Sequence, residues 1–336
     1  MMRRMYSVLT KRRVRDYLVN GMTEDGLYRI SIMDNTSVVN NAQNRFKYKF
    51  QDEKTTKDAL SLYAKTMSCS SILSSFLRGE ERVIVGVFGS GPISQICTES
   101  VQLGETRGYM YVNPEATRSG TSLLFDEENN PGLFTVEKIL YNNSKPITSS
   151  IKLTKGDISN ELLMYFKESE QVPTASHLGV ISDSSSQDQC LFSYGIVVQA
   201  LPAKDSFVSE VQQLKLKELQ TYFDDLTQEL KQSCSTRDEM HQKLFSFKND
   251  LKLTDKVSLP PLSLDTIRFK PLDFFCRCSM KGMMDNVSKL GSAEIEDMHA
   301  EVSSTKTPIT ITCDYCNENY HFGVAEFDTL KQNLSE

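Results

Sequence analysis

The sequence predicts an α+β protein: a main domain of mainly antiparallel sheet with packed helices, a helical linker, and a small C-terminal unit. Three observations predict it. Up to about residue 200, short β-branched and alternating runs are interleaved with helical spacing. From about residue 205 the pattern turns helical, with charges of both signs beside an apolar stripe. Near the C-terminus, four cysteines form two tight pairs. A length of 336 residues fits two units, at about one domain per 150 residues. No stretch approaches the ~20 apolar residues a membrane-spanning helix needs. The formal net charge is -6, so nothing overall points to nucleic acid.

Residues 1–15 differ from the rest. They carry Arg3, Arg4, Lys11, Arg12, Arg13 and Arg15, with Ser7 and Thr10 among them and no acid before Asp16. This fits a mitochondrial transit peptide and hence a matrix location. The other reading is a solvated basic first helix of a cytoplasmic protein. No long apolar core follows the positive residues, which argues against a secretory signal.

The main domain is assigned to residues 16–203. Residues 26–50 suggest two strands, Gly26 to Ile32 and Arg45 to Phe50. A helix follows, with Thr55 and Asp58 resembling a capping box. Its face carries Leu62, Thr66, Cys69, Leu73 and Phe76, and Gly79 stands where a C-terminal cap is expected. Cys69 on that stripe reads as a packed core thiol. Val83 to Phe88 reads as a strand ending in turn chemistry at Gly89, Ser90, Gly91 and Pro92. Tyr109 to Val112 reads as another. Residues 115–132 and 182–189 read as loops. A helix from about Asp157 carries Ile158, Leu162 and Tyr165, and Leu191 to Ala200 reads as a buried strand.

Residues 204–272 form the linker. Leu219, Tyr222, Phe223, Leu226 and Leu230 make its helical stripe. Residues 246–272 lose periodicity and include Pro260, Pro261 and Pro271, a connector of weak intrinsic stability. In the last unit, 273–336, Ser292 can cap a helix bearing Ile295, Met298 and Val302, with Glu294 and Glu296 in its first turn. Thr310 to Thr312 leads into Cys313 as a strand.

Cys276 and Cys278 form C-x-C, and Cys313 and Cys316 form C-x-x-C. Zinc prefers four tetrahedral ligands, and thiolates suit it. A tight turn aims both sulfurs of C-x-x-C at one ion, and Asn317 supports such a turn. Two pairs close the site and leave no open position for a catalytic water. Few aliphatics surround them, so a unit of this size needs a staple. His299 and His321 read as ordinary polar residues. The chain is thus expected to carry one Zn²⁺ on Cys276, Cys278, Cys313 and Cys316. The other four cysteines are scattered singly, unlike a secreted disulfide framework.

The same spacing serves a structural or a switching zinc. Zinc keeps thiols as oxidisable thiolates. Disulfides within each pair would consume the ligands. Structural zinc contributes roughly 10–16 kcal/mol, as much as the ~5–15 kcal/mol stability of a whole domain. Oxidation would therefore unfold the small unit. Spacing alone leaves both readings open.

At these residues the sequence resembles the thirty-three-kilodalton heat-shock protein family of redox-regulated holdase chaperones. Phe274 to Ser279 is similar to the family's first zinc pair, and Ile311 to Phe322 to its second. Leu290 and Gly291 followed by acids match the helix between. Further counterparts are Gly79 to Arg82, Gly89 to Pro92, Arg107 to Tyr109 with Asn113-Pro114, Tyr165-Phe166, Ser169 to Pro173, Leu178 to Val180 and Gln199 to Pro202. The likeness covers roughly residues 16–330. Ser90 stands where the family usually has Asp, and Phe192 to Gly195 where it has a small Ala/Gly run.

The resemblance implies a compact, largely inactive monomer when reduced and zinc-bound. Peroxide with unfolding stress, or hypochlorous acid, then drives redox-active Cys276–Cys278 and Cys313–Cys316 disulfides. Zinc leaves, the C-terminal unit and linker unfold, and apolar surface binds unfolding client proteins without ATP. Active forms tend to dimerise. The sequence agrees in having no G-x-x-x-x-G-K-[ST] loop, and no H-E-x-x-H or G-x-S-x-G motif points to an enzyme. Ser169, Glu170 and Gln171 read as solvated helix-end polarity rather than an acid/base pair. The acids around the second knuckle argue against a nucleic-acid-binding ribbon. The alternative is a constitutive structural zinc module in a protein-interaction protein.

Overall fold

The computed structural model describes residues 15–50, 52–113, 122–124, 132–141, 143, 145–183, 186, 189–203, 205–246 and 259–335. The basic leader up to Val14 and most of the expected 115–132 and 182–189 loops lie outside them. The chain divides into two compact units, one ending at Phe274 and the other spanning Phe275–Glu336.

In chain order the strands of the first unit are β1 (Tyr17–Met22), β2 (Tyr28–Asp34), β3 (Arg82–Phe88), β4 (Ile93–Val101), β5 (Glu105–Val112), β6 (Leu133–Ile139), β7 (Ile147–Lys152), β8 (Thr174–Ser182), β9 (Cys190–Ala200), β10 (Arg268–Pro271) and β11 (Asp273–Phe274). One sheet runs β10-β1-β2-β9-β8 and the other β11-β5-β4-β3-β6-β7. Every pairing is antiparallel except β11 with β5. The predicted α+β class with a mainly antiparallel sheet is what the chain adopts.

The second strand expected, Arg45 to Phe50, does not form: residues 47–50 lack regular structure, and Arg45 and Phe46 end a helix, α1 (Thr36–Phe46). Its asparagine-rich sequence is a poor helix former, but two buried carboxylates cap it. Asp34 accepts from the Thr36 amide at 3.0 Å, and Asp16 from Ser37 and Val38 at 3.1 and 2.6 Å. Anionic acceptors at a helix N-terminus satisfy otherwise orphan donors. Lys47, at φ 53, ends it.

Helix α2 (Glu53–Ser74) lies between the two sheets, touching β3, β4 and β5 on one side and β8 and β9 on the other. The cap is Asp52, which accepts from the Thr55 amide at 2.8 Å, so Thr55 and Asp58 form no capping box. The helix ends at Ser74, and Gly79 at φ +55 turns the chain toward β3 rather than capping it. Being enclosed, α2 buries small polar residues as well as apolar ones. Ser70 bonds Ser100, and Ser71 bonds Thr106, each at 2.9 Å. Cys69 is wholly buried, and burial pushes its thiol well up, as expected of a packed core thiol. The sheet approaches so closely that a Cβ on Gly195 would meet Ile72 Cδ1 at 2.5 Å.

Helix α3 (Ile158–Tyr165) follows β7. Helix α4 (Ser206–Ser233), capped by Asp205, lies across the other face of the five-stranded sheet. Leu216, Leu219, Phe223, Leu226 and Leu230 pack with Tyr28, Ile30, Ile32, Phe192, Tyr194, Ile196 and Val198. Helix α5 (Arg237–Ser246) adds Met240, Leu244 and Phe245 to the same core. Residues 247–258 lie outside the described residues. The chain returns through buried Leu259 and Leu262. The end of the stretch expected to lack periodicity forms β10, which pairs with one sheet, and β11 just beyond it pairs with the other. Pro271 is tolerated because β10 is an edge strand.

A polar clamp fastens α5. Arg237 contacts Asp16 at 2.6 Å and Asp34 at 3.0 Å. His241 Nδ1 lies 2.8 Å from Asp34, and its Nε2 lies 2.8 Å from the Tyr17 hydroxyl. Burial alone would raise the Asp34 carboxyl. The hydrogen bond to His241 and the charge of Arg237 outweigh it and hold the group below the usual carboxylate range. Removing one partner of a buried pair strands the other charge, so Arg237→Ala should cost about 3–5 kcal/mol, read by denaturant unfolding.

On β10, Lys270 is largely desolvated and donates to Ser74 Oγ at 3.1 Å. Burial lowers its pKa to about 7, against about 10.4 in the unfolded chain. Between those values the unfolded state binds more protons, so this residue's destabilisation is complete below about pH 7 and fades toward pH 10. Lys270→Met should therefore raise stability, with a gain that shrinks as pH rises through that window. A pH series of unfolding midpoints checks this.

Candidate metal centre

In the second unit, Cys276 and Cys278 precede α6 (Met280–Val287), which Ser279 caps by accepting from the Gly282 amide at 3.2 Å. A single 3₁₀ turn leads to α7 (Ser292–Thr305). Its cap position is Gly291, so Ser292 is the first helical residue rather than the cap. Ile295 and Val302 are buried and Met298 packs beside them, as the spacing predicts. The hairpin β12 (Ile309–Thr312) and β13 (Asn319–Phe322) follows, then α8 (Val324–Ser335). The buried apolar core is Val287, Ile295, Val302, Phe322, Phe327 and Leu330. Among the described residues, six such side chains make a thin core.

The hairpin loop is the C-x-x-C knuckle. The Cys313 amide donates to Glu318 O at 2.9 Å, and the Asn317 amide to Cys313 O at 2.8 Å. Asn317 sits at φ 58, the left-handed conformation its position in the turn requires.

The fold brings all four paired cysteines together. Their sulfurs lie within 4.8 Å of one another. Cys276 approaches Cys313 at 3.8 Å and Cys278 approaches Cys316 at 3.4 Å. A tetrahedron with ~2.3 Å Zn–S bonds places sulfurs about 3.8 Å apart, so this donor set fits zinc. Desolvation by burial pushes the Cys313 thiol up to about 11 and Cys316 higher still. A divalent cation reverses that preference, because thiolates bind it directly.

His299 and His321 stand outside the cluster. His299 Nε2 pairs with Asp328 at 3.1 Å, and His321 Nδ1 meets Thr310 Oγ1 at 2.9 Å. Glu170 is not simply solvated. It is half-buried, bonded to the Tyr165 hydroxyl and paired with Lys138. Burial opposes its charge, but these partners hold its carboxyl below the usual range. One residue at the centre escaped the sequence reading. Tyr320 donates from its hydroxyl to Cys278 Sγ at 3.0 Å. Its period-two spacing from buried Phe322 was the available signal.

Metal analysis should find one zinc per chain. Cys316→Ser should weaken zinc binding by at least about tenfold, and chelation should unfold the second unit. Cys69→Ser should leave zinc binding unchanged.

The family model described as Hsp33 protein matches residues 16–323. The 33 kDa chaperonin of Geobacillus sp. (strain WCH70) is 26% identical over 320 residues, covering 94% of this chain and 97% of that one. That of Halalkalibacterium halodurans is 28% identical over 319 residues, covering 94% and 98%. The crystal structure of the 33 kDa chaperonin, a heat shock protein 33 homologue, from Thermotoga maritima superposes with a TM-score of 0.70 at 21% identity. It covers 96% of this chain and 100% of its own. The fold, the four-cysteine cluster and a match across nearly the whole length agree: the chain belongs to the Hsp33 protein family.

Proposed function

We infer that this chaperone-family chain is an ATP-independent holdase activated by oxidation. The observation that carries the reading is the apolar face of the five-stranded sheet, covered by α4 and α5. Residues 16–203 act as the main domain, 204–272 as a metastable linker and 273–336 as the redox switch. The linker is held partly by apolar burial and partly by the Arg237 clamp, and its last strand carries the costly Lys270. Its end at Leu272 lies four residues before Cys276.

Bound zinc would keep the four sulfurs as thiolates and cross-link the C-terminal unit. Peroxide takes two electrons from each cysteine pair. Cys276 bonds Cys278 and Cys313 bonds Cys316, and each peroxide leaves as two hydroxides. The ligands are then gone, and a thin core cannot hold the unit against a loss of roughly 10–16 kcal/mol. With its C-terminal anchor unfolded, the linker loosens and its apolar face and that of the sheet become available to unfolding proteins. The reduced chain is a monomer and the oxidised one a dimer. Residues 1–15 precede the family match and either address the chain to the mitochondrial matrix or belong to a cytoplasmic protein.

The test follows zinc with a colorimetric chelator during peroxide treatment, alongside light scattering of a denaturing client. Zinc should leave as aggregation suppression appears. Retained zinc would favour a constitutive structural module. A reduced form that suppresses aggregation while the oxidised form does not would contradict the switch.

A further inference from the structure

Tyr320 is placed by hairpin geometry. On β13 the side chains alternate: Asn319 and His321 face out, while Phe322 is wholly buried in the unit's core. Tyr320 shares the face of Phe322 but lies two residues nearer the knuckle, paired with Ile311. Its ring packs against the core, and its hydroxyl reaches Cys278 Sγ at 3.0 Å.

We propose that Tyr320 sets the threshold of the switch by hydrogen-bonding the Cys278 thiolate. This rests on the oxidation-activated reading given above. Four thiolates around one divalent cation give the centre as a whole a net charge of about −2. A hydroxyl donor spreads the share on Cys278 and strengthens the site, as partners of metal ligands do. It also makes that sulfur a weaker nucleophile toward peroxide. The affected step is the first one. Cys278 sulfur attacks a peroxide oxygen, becoming a sulfenic acid as hydroxide leaves. Cys276 sulfur then forms the S–S bond and releases a second hydroxide. Two electrons pass to peroxide. Tyr320 takes no part in the bonds made or broken; it is a positioning residue that slows their start.

Tyr320→Phe removes the hydroxyl and keeps the ring in the core. In the full-length, zinc-loaded chain, zinc affinity should fall about tenfold, the low end for a lost partner of a metal ligand. Zinc release at a fixed peroxide dose should be several-fold faster. Replacing zinc by Co²⁺ gives a readout that packing does not move. The sulfur-to-cobalt charge-transfer band should shift to lower energy, because an unbonded thiolate gives up electrons more readily. An unchanged band and release rate would overturn the proposal. Should Tyr320→Phe fail to load metal, 3-fluorotyrosine at position 320 keeps the shape and strengthens the donor. It should slow release and move the band to higher energy, and no change would again overturn the proposal. Wild-type protein that keeps its zinc under peroxide would instead overturn the switch reading, leaving the band shift to judge the hydrogen bond by itself.

Discussion

The apolar face of the five-stranded sheet needs a cover, and helix α4 supplies it. Tyr28, Ile30, Ile32, Phe192, Tyr194, Ile196 and Val198 present one continuous surface on β2 and β9. Their alternate neighbours face α2, which is already enclosed between the sheets. Five large side chains of α4 close the surface. At about 1.5–3 kcal/mol each, their burial is worth on the order of 10 kcal/mol. That rivals the net stability of an entire domain. The cover is therefore not optional to the folded state, and it comes from the helical segment that follows β9 in the chain.

Fastening is divided between two kinds of force. The apolar stripe is non-directional, whereas the Asp16, Asp34, Arg237 and His241 clamp is specific and leaves buried charge if broken. Beyond α5 the chain is tied by two short strand pairs, β10 on one sheet and β11 on the other. Among the described residues the C-terminal unit buries six apolar side chains, and its four sulfurs lie within 4.8 Å of one another.

Much of this was legible in the sequence because the relevant signals are local. Strands β3 and β9 are apolar runs with clear ends, α4 shows its stripe, and the cysteine pairs announce themselves by spacing. The misses have physical reasons. Strand β4 reads as polar because Thr98 donates to the Thr66 carbonyl and Ser100 bonds Ser70 on α2, so its buried side is hydroxylated. Helix α1 lacks a cap of its own and borrows carboxylates from Asp16 and Asp34. The clamp joins residues more than 200 positions apart, and no local pattern encodes such a pairing. Tyr320 carries no local mark of its role, and only the hairpin register places it beside Cys278.

The central claim is that oxidising the cysteine centre uncovers the sheet. Hydrogen–deuterium exchange across Ser206–Ser233 tests it most directly, in matched reduced and peroxide-treated samples. The account predicts slow exchange in the reduced chain and loss of protection in step with zinc release, with α2 still protected. Undiminished protection of Ser206–Ser233 in an oxidised, zinc-free chain that suppresses aggregation would contradict it.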